Sequence, residues 1–120
     1  MMDLIKIAGL RVFAYHGVLP EEKSGGQEFL LDITLHMDLS AACRGDDLDD
    51  TVNYDAVCCV AHDAMTNHAR NLIEAAAQDI ADAILREFEL LKAVDITLHK
   101  PNAPLTHEAG CVSVCISRTR

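Results

Sequence analysis

What this chain lacks narrows its function before any motif is read. Basic residues are scarce: 10 Lys and Arg stand against 19 Asp and Glu, for a formal net charge of -9. No basic stripe interrupts that acidic background, which argues against a nucleic-acid or anionic-membrane partner. No apolar run approaches the ~20 residues that a membrane span needs. The opening stretch MMDLIKIAGL has no apolar h-region before Lys6 and Arg11, so no signal peptide is expected. A cytoplasmic protein is the expectation. The five cysteines (Cys43, Cys58, Cys59, Cys111 and Cys115) form no C-x-x-C pair. They read as free thiols serving as small apolar residues. None of the six histidines has a metal-ligand spacing such as H-E-x-x-H, so no metal site is expected. Internal repeats, low-complexity tracts and interior linkers are missing too. With 120 residues, 50% of them hydrophobic, the chain 1–120 is expected to form a single domain around a real core.

The apolar residues are arranged in two periods. Ile5, Ile7, Leu10 and Val12 suggest a first strand crossed by Gly9. Tyr15 to Gly26 reads as a loop, longer than a tight hairpin and therefore a candidate for function. From Gln27 to Leu39, Phe29, Leu31, Ile33, Leu35, Met37 and Leu39 alternate with Glu28, Asp32, Thr34, His36 and Asp38. That is a strand with one buried and one polar face. Ser40 to Asn53 is an acidic connector. Tyr54, Val57, Cys58, Ala61, Ala64 and Met65 then recur at helical spacing, predicting a helix from Tyr54 to Asn67. A second helix is predicted from Asn71 to Phe88, with Ile73, Ala77, Ile80, Ala81, Ile84 and Phe88 as its apolar stripe. Strands follow at Val94–Leu98 and Val112–Ile116. The order β-β-α-α-β-β predicts an α+β fold: a four-stranded, mostly antiparallel sheet with two helices on one face.

Four residues are odd for their positions. Lys100 continues the inward phase of Val94, Ile96 and Leu98, just before Pro101. It can snorkel outward or, drawn from water, work as a general base. Glu74 follows Asn71 by three residues and can close a capping box or offer its carboxylate to a ligand. Tyr54 opens a helix straight after the acidic connector, and Glu22 lies in the glycine-rich loop. A carboxylate, an ammonium and a phenol can serve as anchor, base and acid.

These residues sit in motifs that resemble the dihydroneopterin aldolase family of folate biosynthesis. Gly9-Leu10 and Tyr15-His16-Gly17-Val18 resemble its first strand and loop. Glu22, four residues before Gly26-Gln27, resembles its loop glutamate. The run from Asp46 to Asp50, then Thr51-Val52-Asn53-Tyr54, resembles its connector and tyrosine. Leu72-Ile73-Glu74 resembles its anchor helix, and Lys100-Pro101-Asn102-Ala103-Pro104 its lysine loop. Each motif alone is weak, but five in order and at the right spacing are specific.

The resemblance implies a tunnelling-type fold and a pterin substrate, 7,8-dihydroneopterin. Glu74 would anchor the pterin's N–H and amino groups, and the backbone of Leu72 and Ile73 would complete that edge. Tyr54, with Thr51, Val52 and Asn53, would come from a neighbouring subunit of a homo-oligomer, a tetramer ring or an octamer. The implied reaction is a retro-aldol cleavage to 6-hydroxymethyl-7,8-dihydropterin and glycolaldehyde, with no cofactor, metal or Schiff base. Lys100 would take the proton of the side-chain hydroxyl, Glu22 would position it, and Tyr54 would help protonate the enol intermediate. The alternatives are the related dihydroneopterin triphosphate epimerase and a non-catalytic, barrel-forming binding module. A triphosphate calls for several basic side chains, whereas Lys23 is the sole one in the glutamate loop.

Overall fold

A computed structural model describes residues 2–120. Its elements are β1 (Asp3–Ala14), α1 (Pro20–Gly25), β2 (Gln27–Met37), α2 (Ser40–Gly45), a 3-10 turn at Leu48–Asp50, α3 (Tyr54–Asn67), α4 (Ile73–Glu87), β3 (Ala93–Lys100) and β4 (Val112–Thr119). The expected fold class holds. The sheet has the order β1-β2-β3-β4 and is antiparallel throughout.

The alternation in β2 does what its period demands. Phe29, Leu31, Ile33, Leu35 and Met37 are fully buried. They lie across from Val12, Leu10, Ile7, Ile5 and Asp3 on one side, with Leu31, Ile33 and Leu35 across from Leu98, Ile96 and Val94 on the other. β2 stops two residues short of the predicted Leu39, because the Asp38 carboxylate turns back to accept the Ser40 N–H at 2.9 Å. β1 carries a bulge between Ile7 and Leu10. Gly9 sits there at φ 71, and its N–H donates to Asp32 Oδ1 at 2.8 Å. A glycine suits that left-handed backbone.

Both long helices cover the same face. α3 lies on β1 and α4 on β3 and β4. The predicted stripe of α4 is the buried one: Ala77, Ile80, Ala81 and Ile84 are sealed off, and Phe88 packs at the margin. α3 buries Val57, Ala61 and Met65. Its bounds match the predicted ones, and Asn53 caps it by accepting from the N–H groups of Asp55 and Ala56.

The structure corrects the sequence in three places. Tyr54 is not on the buried stripe; it is the first residue of α3 and is 64% exposed. The stretch read as a loop from Tyr15 to Gly26 contains α1, and the acidic connector contains α2 and the 3-10 turn. Pro20 at the first position of α1 supplies the helical φ without needing an acceptor. Third, α4 begins at Ile73 with Leu72 as its N-cap, not Asn71, and no side chain caps it. The chain is still extended at Leu72, because Arg70 is tied through its backbone to the His16-Gly17 segment.

Candidate active site

Lys100 ends β3, two residues past the buried Leu98, so its side chain points to the core side where the core runs out. Its Nζ lies 2.6 Å from Glu22 Oε2. Glu22 is itself only 8% exposed. Its Oε1 accepts the Leu19 N–H at 3.3 Å, reaching back over the start of α1, and its Oε2 also accepts from Gln27 Nε2 at 3.0 Å. Burial pushes the Glu22 carboxyl upward, but the hydrogen bonds from Lys100, Gln27 and Leu19 outweigh it and hold the carboxyl below the usual range. A buried carboxylate is therefore kept charged beside an ammonium. Gly17 makes room for it: a Cβ at that position would collide with the Glu22 carboxyl, and φ there is 149.

Glu74 differs on every count. It is exposed, in the first turn of α4, and its carboxylate has no hydrogen-bond partner among the described residues. The capping-box reading fails, because the helix start has shifted past Asn71. The Ala75 N–H turns back to the Leu72 carbonyl at 3.1 Å, while those of Ile73 and Glu74 have no intrahelical acceptor, so the helix end favours a polar, electron-rich ligand edge. Leu72 beside it is 52% exposed, while Ile73 turns inward at 7%.

The remaining candidates lie elsewhere. Thr51, Val52 and Asn53 line a cavity of about 330 Å³ with Glu87, Phe88, Glu89 and Leu90, at the C-terminal end of α4. Val52 is buried, and Tyr54 is exposed next to this cavity in sequence. Glu87 lies thirteen positions after Glu74 along the helix, a rise of about 20 Å. One copy of the chain therefore holds the two groups of predicted site residues at opposite ends of one helix.

Two residues with evident structural work at the site had no role in the sequence reading. Gln27 holds Glu22, and its Oε1 is buried without a partner among the described residues. His16 is 1% exposed; its Nε2 donates to the Met65 carbonyl at 2.8 Å, and its Nδ1 accepts the Arg70 N–H at 2.9 Å. Both stand in motifs quoted above, but a motif does not say what its members touch. No cluster of three or more His, Cys, Asp or Glu side chains suited to a metal ion occurs among the described residues. Nor, among the described residues, is any helix long and apolar enough to cross a membrane.

Comparison with known proteins decides the family. The dihydroneopterin aldolase family model matches residues 5–117. This chain belongs to that family. A dihydroneopterin aldolase of Methylorubrum extorquens is 38% identical over 120 residues, covering 100% of this chain and 92% of the relative. One of Streptomyces coelicolor is also 38% identical, over 99% of each chain. Among solved structures, the E. coli dihydroneopterin aldolase in complex with neopterin superposes with a TM-score of 0.89 at 29% identity, covering 98% of this chain and 99% of that one. The family's fold therefore extends over the whole of the architecture described above.

Proposed function

We infer that this protein is a 7,8-dihydroneopterin aldolase of folate biosynthesis, cleaving its substrate to 6-hydroxymethyl-7,8-dihydropterin and glycolaldehyde. One observation carries the reading beyond family membership: the Lys100 ammonium is held 2.6 Å from a buried, charged Glu22, where a sheet strand ends. The nitrogen that is to act as base and the carboxylate that positions it are thus fixed in place before any ligand arrives, which is what proton transfer in an oriented complex requires.

In this reading the exposed Glu74 carboxylate accepts two parallel hydrogen bonds from the pterin's N–H and amino groups. Leu72 and Ile73 supply backbone to the same edge. Lys100 first gives up a proton to water, and its neutral amine then takes the proton from the hydroxyl on the second side-chain carbon, directly or through water, with Glu22 positioning the hydroxyl and the water. The bond between the first and second side-chain carbons breaks as the carbonyl of glycolaldehyde forms. Its electron pair moves into the conjugated ring C=N bond. Tyr54 then takes part in returning a proton to the first carbon. The ring is its own electron sink, so the chemistry needs neither a Schiff base nor a metal.

The two groups of site residues come together only between copies. A neighbour would bring Tyr54 and Thr51-Val52-Asn53 to Glu74 and Lys100. The outer edges of β1 and β4 end the sheet at 12 and 8 residues. Such long edges favour closure against further copies, as a tetramer ring or an octamer. The protein would work as one domain per copy, in the cytoplasm. Incubation with 7,8-dihydroneopterin should release glycolaldehyde and 6-hydroxymethyl-7,8-dihydropterin, with activity unchanged after EDTA and no substrate adduct trapped by borohydride. A protein that leaves the substrate intact overturns the function, and an active monomer in light scattering overturns the shared site.

A further inference from the structure

We propose that His16 is a positioning residue that sets the register between the two carboxylates of the site, Glu22 and Glu74. The proposal rests on the reading of Glu74 as the pterin anchor. The physical link runs through two adjacent residues. His16 accepts the Arg70 N–H on Nδ1, while the N–H of Gly17 donates to the Arg70 carbonyl at 2.9 Å. Both peptide groups flanking the Arg70 Cα are thereby held by residues 16 and 17. Gly17 also lies against the Glu22 carboxyl, so the same dipeptide touches one carboxylate and fixes the chain four residues before the other.

Each contact is itself anchored. The His16 ring donates to the Met65 carbonyl near the end of α3 and packs edge-on to Phe29 of β2, with ring centroids 5.5 Å apart. Arg70 reaches the other way: its Nε and a terminal nitrogen grip Asp79 of α4 at 2.8 and 3.0 Å. The segment from Arg70 to Glu74 is therefore pinned through its backbone to the turn that follows β1, and to α4 through a side chain. That pinning keeps Leu72 extended and puts the first turn of α4, with Glu74, where it is.

The bond pattern fixes the tautomer. Nε2 carries the proton, and Nδ1 must stay bare to accept the Arg70 N–H. Burial pushes the imidazole below its ordinary value; Lys23 on α1 and Arg70 act the same way, against the Met65 carbonyl on α3 and Asp79 on α4. A proton on Nδ1 would set one N–H against another and release Arg70.

Two conservative variants separate the two bonds. In His16→Asn the side-chain oxygen can overlie Nδ1 and still accept from Arg70. In His16→Gln the amide nitrogen can overlie Nε2 and still donate to Met65. Asn leaves the larger void beside Phe29, so a purely structural role makes His16→Asn the worse variant in every measurement. The proposal expects the order to cross. His16→Asn should melt at the lower temperature yet keep neopterin affinity within about threefold. His16→Gln should lose ten-fold or more, read mainly in KM. Amide hydrogen exchange on the ligand-free oligomer should show faster exchange spreading from Arg70 to Glu74 in His16→Gln only. If both variants change affinity and exchange in the order of their melting temperatures, His16 is a packing residue and the proposal is overturned. If the parent protein does not bind neopterin, the assigned function falls, while the exchange pattern still decides what His16 holds in place.

Discussion

Two glutamates, each in the first turn of a helix, were given opposite fates by their surroundings. Glu22 is buried, ionised and saturated with donors from Lys100, Gln27 and Leu19. Glu74 stands in the open with nothing bound among the described residues. The helix start alone does not distinguish them. Glu22 was made by its neighbours into a fixed part of the structure, because a buried charge persists only when it is paired. Glu74 was left with its hydrogen-bonding capacity unspent, which is the condition for recognising a ligand.

The strongest way to break the contrast is to remove the partner of the buried glutamate. Lys100→Ala should lower kcat by about 10³-fold, within the range of general acid-base groups, while changing affinity for a pterin product much less. A near-normal kcat would move the base to Tyr54. The same variant strands a buried charge, so its stability should be compared with Glu22→Gln/Lys100→Met, which removes both charges. The double variant should be the more stable and equally inactive.

Removing the exposed glutamate should act on the other quantity. Glu74→Ala should weaken neopterin binding by about 100-fold, since two charge-assisted hydrogen bonds are worth roughly 3 kcal/mol together. Its melting temperature should hardly move, as no cap is lost. Early melting with normal binding would reverse the assignment. Mixing Tyr54→Phe with Lys100→Ala subunits should then restore activity to about one site in four, by random pairing of copies. Unrestored activity after confirmed subunit exchange would place Tyr54 and Lys100 in the site of a single copy.

The smallest effect is on stability against acid. The Glu22 carboxyl is held below its ordinary value of 4.5 in the folded protein. Its contribution is fully present above that value and is lost as the pH falls through the lowered one. Glu22→Gln should flatten this part of the stability curve. Denaturant titrations between pH 3 and 6 check it, and an unchanged slope would mean that the pair adds no pH-dependent stability.

Much of this was legible in the chain because it was written in short periods. The alternation of β2 and the stripe of α4 need only their own residues, and both are buried as predicted. Lys100 was legible as a break in phase. What sequence could not carry was contact at long separation. The segment leading into α4 is tied to His16, 54 residues before Arg70, and α1 is a six-residue helix held by Glu22 reaching back and by Lys100 from across the fold. Tyr54 fitted the helical period but fell beyond the edge of the surface that the period is meant to bury.

The length of α4 has an evolutionary consequence. One rigid rod carries Glu74, the proposed pterin anchor, near its first residue and a lining residue of the Thr51-Val52-Asn53 cavity, Glu87, at its last. Inserting a single residue would advance one end by 1.5 Å and rotate it by about 100°. If the site is shared between copies as proposed, both of its halves cannot survive that change. Insertions and deletions should therefore be purged from this helix even at exposed positions such as Asp82 and Arg86, while the Pro101–Cys111 connection can change length freely beyond its first residues. The helix works as a gauge block, in which residue count should be constrained more tightly than surface chemistry.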